Sequence, residues 1–184
     1  MSEDQREFVP YRVHAQRGII DTPWFTVRVD EISYPDGRPG TYYCVGIPPS
    51  AVVLPVLDDG RIALIRQWRY TLQRDHLELP AGRIHAGETP LEAARRELRE
   101  ETGYTATSFE PQPMFHPLMG LSPHEAWPFI ARGLVLGEQE LESPEQIRVE
   151  LYEPAEVREL VRQGAITDVF ALVPLLRYLC LDPS

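Results

Sequence analysis

Residues 89–103 carry start and stop signals for one helix, and those signals fix the middle of the fold. Thr89 suits an N-cap, Pro90 the first helical position, and Glu92 completes a Thr-x-x-Glu capping box. Gly103 stands where a helix closes in a left-handed residue. Between them Leu91, Ala94 and Leu98 recur at helical spacing and give a buried stripe. Glu97, Glu100 and Glu101 fall within an arc of about 100° beside that stripe. Like charges so placed repel, by about 4 kcal/mol at 4 Å in a partly desolvated site. Hard divalent cations, which take carboxylate oxygens, would offset that. A solvated acidic face paired with Arg95, Arg96 and Arg99 is the other account of the same pattern, since Glu92–Arg96 and Arg96–Glu100 are both i,i+4 pairs.

Around this helix the chain reads as one mixed domain of α and β elements. Residues 23–46 alternate like two strands about the turn Pro35–Gly40, a hairpin pattern. Residues 50–57 and 61–68 flank Asp58-Asp59-Gly60 and predict a second hairpin. The run His76–Pro80 is extended. Residues 113–118, 127–136 and 147–152 are further strand candidates. Residues 154–163 and 168–181 read as helices, with Pro174 predicting a kink or a delayed start in the second.

Composition narrows the chemistry. The 184 residues hold 18 cationic side chains, all arginine, against 28 carboxylates, for a net charge of −10. Without lysine there is no Schiff-base chemistry and no lysine-terminated phosphate loop. Phosphate recognition falls to arginine, backbone N–H groups or metal ions. The acidic balance argues against nucleic acid as a partner. No apolar run reaches the length of a membrane helix, and the polar N-terminus does not read as a signal peptide. Two cysteines, Cys44 and Cys180, form no disulfide framework, so a reducing cytoplasm is the expected location.

Before the helix, Leu79-Pro80-Ala81-Gly82 leads into Arg83–Glu88, and glycines there let backbone groups approach a ligand. Gly82, then Glu88, then Arg96-Glu97-Leu98-Arg99-Glu100-Glu101-Thr102-Gly103-Tyr104 matches the Nudix box across residues 82–104, with an aromatic at its last position. The sequence resembles the Nudix hydrolases. Gln67-Trp68-Arg69-Tyr70, Leu77–Gly82 and the stretch from Pro154 through Gly164-Ala165-Ile166 look like the ADP-ribose pyrophosphatase and nucleoside diphosphate sugar hydrolase branch.

The resemblance implies a Nudix α/β/α sandwich with a mixed sheet and an N-terminal antiparallel β extension. It places an N-terminal β region at 1–46, which supports a homodimer, and the Nudix hydrolase domain at 47–184. The implied reaction is Mg2+-dependent (or Mn2+-dependent) hydrolysis of ADP-ribose or a related nucleoside diphosphate sugar, giving a nucleoside monophosphate and a sugar phosphate. The metal ligands implied are Glu97, Glu100, Glu101 and the carbonyl of Ala81. Arg96 would orient a metal-binding carboxylate and Glu88 would fix Arg96. The general base would come from the loop 137–146, with Glu145 first, Glu142 next and Glu125 a rival.

Arg66 and Arg69 are candidates to fork onto a phosphate, or to form structural ion pairs. Glu78 could accept from the base or ribose, or pair with arginine. Trp24 could stack on a base from across a dimer interface or pack in the core, while Trp68 and Trp127 are expected in the core. Met119 stands where this branch carries proline, which fits a broader substrate range. A housecleaning nucleotide pyrophosphatase and a non-catalytic nucleotide-sugar sensor are the competing readings.

Overall fold

The computed structural model describes residues 8–141 and 146–181. Its contacts divide the chain into two compact units. One holds the residues up to Pro48 together with Leu118–His124, and the other Pro49–Pro117 with Glu125 onward.

The first unit is a three-stranded antiparallel sheet in the order β1 (Arg12–Asp21), β2 (Thr26–Ser33) and β3 (Pro39–Gly46). The predicted β2–β3 hairpin is present in unbroken register from Thr26↔Gly46 to Ser33↔Pro39, with Gly37 at φ +86° in its turn. β1 has no counterpart among the sequence expectations. All ten of its side chains are exposed, so no buried periodicity marks it. The segment 118–124 joins this unit through Val45 N–H donating to Leu121 O and Tyr42 OH donating to Gly120 O.

The second unit carries two sheets and three helices. A four-stranded sheet has the order β7 (Ala81–Arg83), β4 (Ser50–Pro55), β9 (Ala126–Leu136) and β8 (Tyr104–Pro111), with β4 and β9 parallel. A three-stranded antiparallel sheet has the order β10 (Ile147–Tyr152), β5 (Ile62–Arg69) and β6 (Arg74–Glu78). The helices are α1 (Pro90–Thr102), α2 (Pro154–Arg162) and α3 (Val169–Leu181).

β4 is buried at every position, and its alternation explains the layering. Val52 and Leu54 face a core built with Val157 of α2 and Ala171, Leu175 and Leu179 of α3. Ala51 and Val53 face a second core built with Ala93, Ala94 and Leu98 of α1. β5 divides likewise, with Ile62 and Leu64 on one side and Ala63 on the other. The strands therefore lie between helices on both faces, which is the expected α/β/α sandwich. A strand covered on both faces reads as a continuous apolar run, as residues 51–54 do.

Three expectations need correction. The turn at Asp58-Asp59-Gly60 forms, with Gly60 at φ +90° and one bridge between Val56 and Ile62, but β4 and β5 then diverge into separate sheets. Residues 113–118 form no strand beyond a single bridge of Phe115 to Ala126, since Pro113 and Pro117 offer no N–H to a ladder. Of the two expectations for Pro174, the delayed start does not occur, since α3 begins at Val169 and continues past the proline. Among the described residues no helix is long and apolar enough to cross a membrane.

Candidate functional site

The site is built where β7 meets α1. Thr89 caps the helix as expected: its Oγ1 accepts from Glu92 N–H, and Glu92 Oε2 accepts from Thr89 N–H at 2.8 Å. At the other end Gly103 adopts φ +75° and its N–H donates to Arg99 O at 2.8 Å. The helix buries Ala93, Ala94 and Leu98, and it also buries Glu97 and Glu101. Two glutamates on a buried helix face demand compensation.

β7 supplies part of it. Ala81 N–H donates to Glu101 Oε2 at 2.9 Å. Gly82 lies so close to Glu97 that a Cβ there would sit 1.9 Å from Glu97 Oε1. A side chain at this position would therefore displace the Glu97 carboxylate, and the φ of Gly82 plays no part. Arg96 supplies the rest. Its Nε and Nη2 fork onto the Glu88 carboxylate at 3.0 and 3.1 Å, and Nη2 also donates to Arg83 O. Its Nη1 donates to Glu97 Oε1 at 2.6 Å and to Glu100 Oε2 at 3.0 Å. The guanidinium holds the Glu88 carboxyl below the ordinary carboxylate range, helped by the N–H of His85. One arginine thus ties Glu88, Glu97 and Glu100 together, and the cluster keeps an excess of negative charge.

No three His, Cys, Asp or Glu groups among the described residues are already gathered as a metal cage. The donor chemistry nonetheless fits a hard divalent cation. Glu97, Glu100 and Glu101 present carboxylate oxygens on one helix face beside β7, with more negative charge than Arg96 neutralises.

Beside Ala81 and Gly82 a cleft of about 650 Å3 opens, bordered also by Arg69, Glu78, Asp168 and Phe170. Arg69 Nε donates to Glu78 Oε1 at 2.7 Å and its Nη2 pairs with Oε2, so these two predicted contacts form one fork on the cleft wall. Arg66 goes elsewhere. It forks onto Glu150 at 2.6 and 2.9 Å, reaches Asp75 at 2.9 Å, and borders a different hollow with Trp68 and Arg148. Positions three apart on a strand face opposite sides, so Arg66 and Arg69 cannot converge on one phosphate from β5.

The remaining candidates are dispersed. Trp24 lies in the β1–β2 turn of the N-terminal unit and is 65% exposed, so it is no core residue. Trp68 is half exposed, contrary to expectation, while Trp127 packs partly buried and donates to Glu125. Met119 is exposed on the 118–124 segment. Glu142 and Glu145 lie outside the described residues. The stretch leading to them is fastened to the end of α1: Gly137 N–H donates to Gly103 O, Glu140 N–H to Glu100 O, and Arg99 reaches the Glu140 carboxylate at 3.5 Å. Sequence reading missed Asp168, although an Asp directly before an apolar helical run is a recognisable N-cap signal.

Comparison with known proteins gives a consistent set of likenesses. A family model described as NUDIX domain matches residues 46–170, and one described as nucleoside diphosphate sugar hydrolase N-terminal domain matches residues 11–45. The chain is 35% identical over 125 residues to an ADP-ribose pyrophosphatase of Bacillus subtilis (strain 168), covering 68% of each. It is 31% identical over 155 residues to an ADP-ribose pyrophosphatase of Mycobacterium tuberculosis, covering 83% of this chain and 75% of the relative. A CMP-5'-(N-acetyl-N-hydroxy-3-aminopropyl)phosphonate hydrolase of Streptomyces rubellomurinus is 28% identical over 167 residues, covering 89% of this chain and 80% of the relative. A crystal structure described as an ADP compounds hydrolase shares the fold, with a TM-score of 0.83, 20% identity and 93% of each chain covered.

Proposed function

The chain belongs to the Nudix family, and we propose that it hydrolyses the pyrophosphate bond of ADP-ribose or a related nucleoside diphosphate sugar. The products are a nucleoside monophosphate and a sugar phosphate. The observation that carries this reading is the closeness of Glu97 and Glu101 to the backbone of Gly82 and Ala81, with Arg96 bridging Glu97 and Glu100 at the edge of the cleft.

Glu97, Glu100, Glu101 and the carbonyl of Ala81 would hold Mg2+, or Mn2+ in its place. Such an ion, when bound, activates water and offsets the charge of the two phosphates. The protein's own part is positional. Arg96 holds the Glu97 and Glu100 carboxylates in orientation, and Glu88 and Arg83 O hold Arg96. The Arg69–Glu78 fork presents a nearly neutral wall to the substrate. Glu145 is the proposed general base, ahead of Glu142 and Glu125. Trp24, exposed on the N-terminal unit, is proposed to stack on a base from across a dimer interface, in the site of a second copy. The division proposed is an N-terminal region at 1–46 for dimerisation and the hydrolase domain at 47–184. The fully exposed strand β1, carrying Val13, Ile19 and Ile20, suits an interface between two copies. Two free thiols suit a cytoplasmic location.

The test is release of nucleoside monophosphate, under Mg2+, from ADP-ribose, ADP-glucose, GDP-mannose, UDP-glucose and a dinucleoside polyphosphate. Glu97→Gln and Glu101→Gln should each lower the rate roughly a hundredfold or more, with unchanged circular dichroism. Near-normal turnover by either variant overturns the reading. A broader nucleotide range is the second reading, favoured by the likeness to the CMP-linked phosphonate hydrolase over 89% of this chain.

A further inference from the structure

The cleft beside Gly82 holds a carboxylate to which the proposed reaction gives no task. Asp168 directly precedes α3, and its Oδ2 accepts from Ala171 N–H at 3.3 Å, while its carbonyl accepts from Leu172 N–H. It is the N-cap of the helix. An N-cap needs only water or backbone around it, yet this one is half buried and borders the cleft with Arg69, Glu78 and Thr167.

The charges around Asp168 are unevenly satisfied. Burial pushes its carboxyl up from the ordinary range, and the Glu78 carboxylate pushes the same way. The backbone N–H groups of Phe170 and Ala171 act in the opposite sense, and so does Arg69, although its guanidinium is already forked onto Glu78. The carboxylate at this wall of the cleft is thus served by backbone N–H groups beside a neighbouring negative charge, and a ligand that meets its remaining lone pairs must bring a donor and no negative charge. A phosphate oxygen is the wrong ligand for it, and a hydroxyl group is a suitable one.

The other lining groups narrow the choice between a sugar and a base. A base would want a free aromatic face. Phe170 is engaged with Phe115 at 6.1 Å between ring centroids, and the ring of His76 is buried. What the cleft adds is hydroxyl groups at Ser50, Thr71 and Thr167. Its volume, about 650 Å3, has room for a sugar and the phosphate beside Gly82.

We propose that Asp168 is a specificity-determining residue, accepting hydrogen bonds from the hydroxyls of the sugar that leaves as the sugar phosphate. This rests on the pyrophosphatase reading for the identity of the ligand, and it is tested separately from it. The probes are the two products, ribose 5-phosphate and AMP, titrated calorimetrically into the full-length protein with Mg2+ present. Asp168→Ser keeps an N-cap oxygen but removes the second carboxylate oxygen and the charge that would meet the ligand. It should weaken ribose 5-phosphate roughly tenfold or more and leave AMP within about twofold. Asp168→Asn, which keeps the shape and loses the charge, should fall between, and it carries the test if the serine variant fails to fold. Equal weakening of both products, an unchanged affinity for ribose 5-phosphate, or no binding of it by the wild type at millimolar concentration overturns the proposal. If ribose 5-phosphate binds in an Asp168-dependent way but ADP-ribose is not cleaved, the reaction assignment falls and the contact stands.

Discussion

At the scale of single residues the site depends on two kinds of closeness. Gly82 allows a carboxylate to press against main chain, and Arg96 gathers carboxylates that would otherwise repel. The second kind has a pH signature. Glu88 is held below the ordinary carboxylate range, chiefly by its fork with Arg96. A carboxyl depressed in the folded state contributes stability that is fully present above its unfolded pKa. That stability is lost as pH falls through the lower folded value. Glu88→Gln should therefore cost about 1.5–3 kcal/mol near neutral pH, as loss of a charge-assisted fork does. The gap between variant and wild type should close as pH drops below about 4. Chemical denaturation at a series of pH values checks this. A gap that stays constant into acid would mean that Glu88 acts through packing alone. The site was legible at this scale wherever its residues are close in sequence. Glu88, Arg96, Glu97 and Glu100 lie within one helix and its approach, so spacing alone brings them together. Arg66 and Arg69 show the limit: alternation along β5 puts them on opposite sides, but the partners that fix each fork, Glu150 and Glu78, come from other strands.

At the scale of elements, what the sequence could show depended on whether an element marks its own ends. α1 does: a cap, a capping box, proline at its start and a left-handed glycine after it all appear in the structure at the positions expected. β1 marks neither its ends nor a buried face, and so it is invisible to periodicity. The turn at Asp58–Gly60 is legible because turn chemistry is local. The separation of β4 from β5 is not, because β4 takes its partners β7 and β9 from distant parts of the chain. The cap of α1 has a measurable value of its own. Thr89→Ala removes the side-chain acceptor of Glu92 N–H and one half of the reciprocal pair. It should cost about 1 kcal/mol. In a chain of this length that lowers the thermal midpoint by about 2–4 °C. Thr89→Ser, which keeps the oxygen, should recover most of the loss. If both variants melt alike, the cap is not what holds the start of the helix.

At the scale of the whole molecule, an acidic chain with arginine as its only strong cation must still meet a doubly charged pyrophosphate. Part of the excess negative charge sits on Glu97, Glu100 and Glu101 of α1, whereas exposed pairs such as Asp36–Arg38 and Glu159–Arg162 are neutral as pairs and contribute little. Global charge and local charge respond differently to salt. Screening by NaCl acts on exposed charges everywhere, with a Debye length of about 10 Å at 0.1 M. A divalent cation held by Glu97, Glu100 and Glu101 acts at one place and binds only the folded chain. At tenfold its dissociation constant it would stabilise by about 1.4 kcal/mol, or about 3–5 °C in midpoint. Millimolar Mg2+ should thus raise the midpoint above that measured in NaCl of equal ionic strength, and EDTA should reverse the gain. In the Glu97→Gln/Glu101→Gln double variant the Mg2+ gain should vanish while the NaCl response stays. An equal Mg2+ gain in the double variant would place the cation elsewhere on the acidic surface. It would then separate the net charge of the chain from the chemistry of α1.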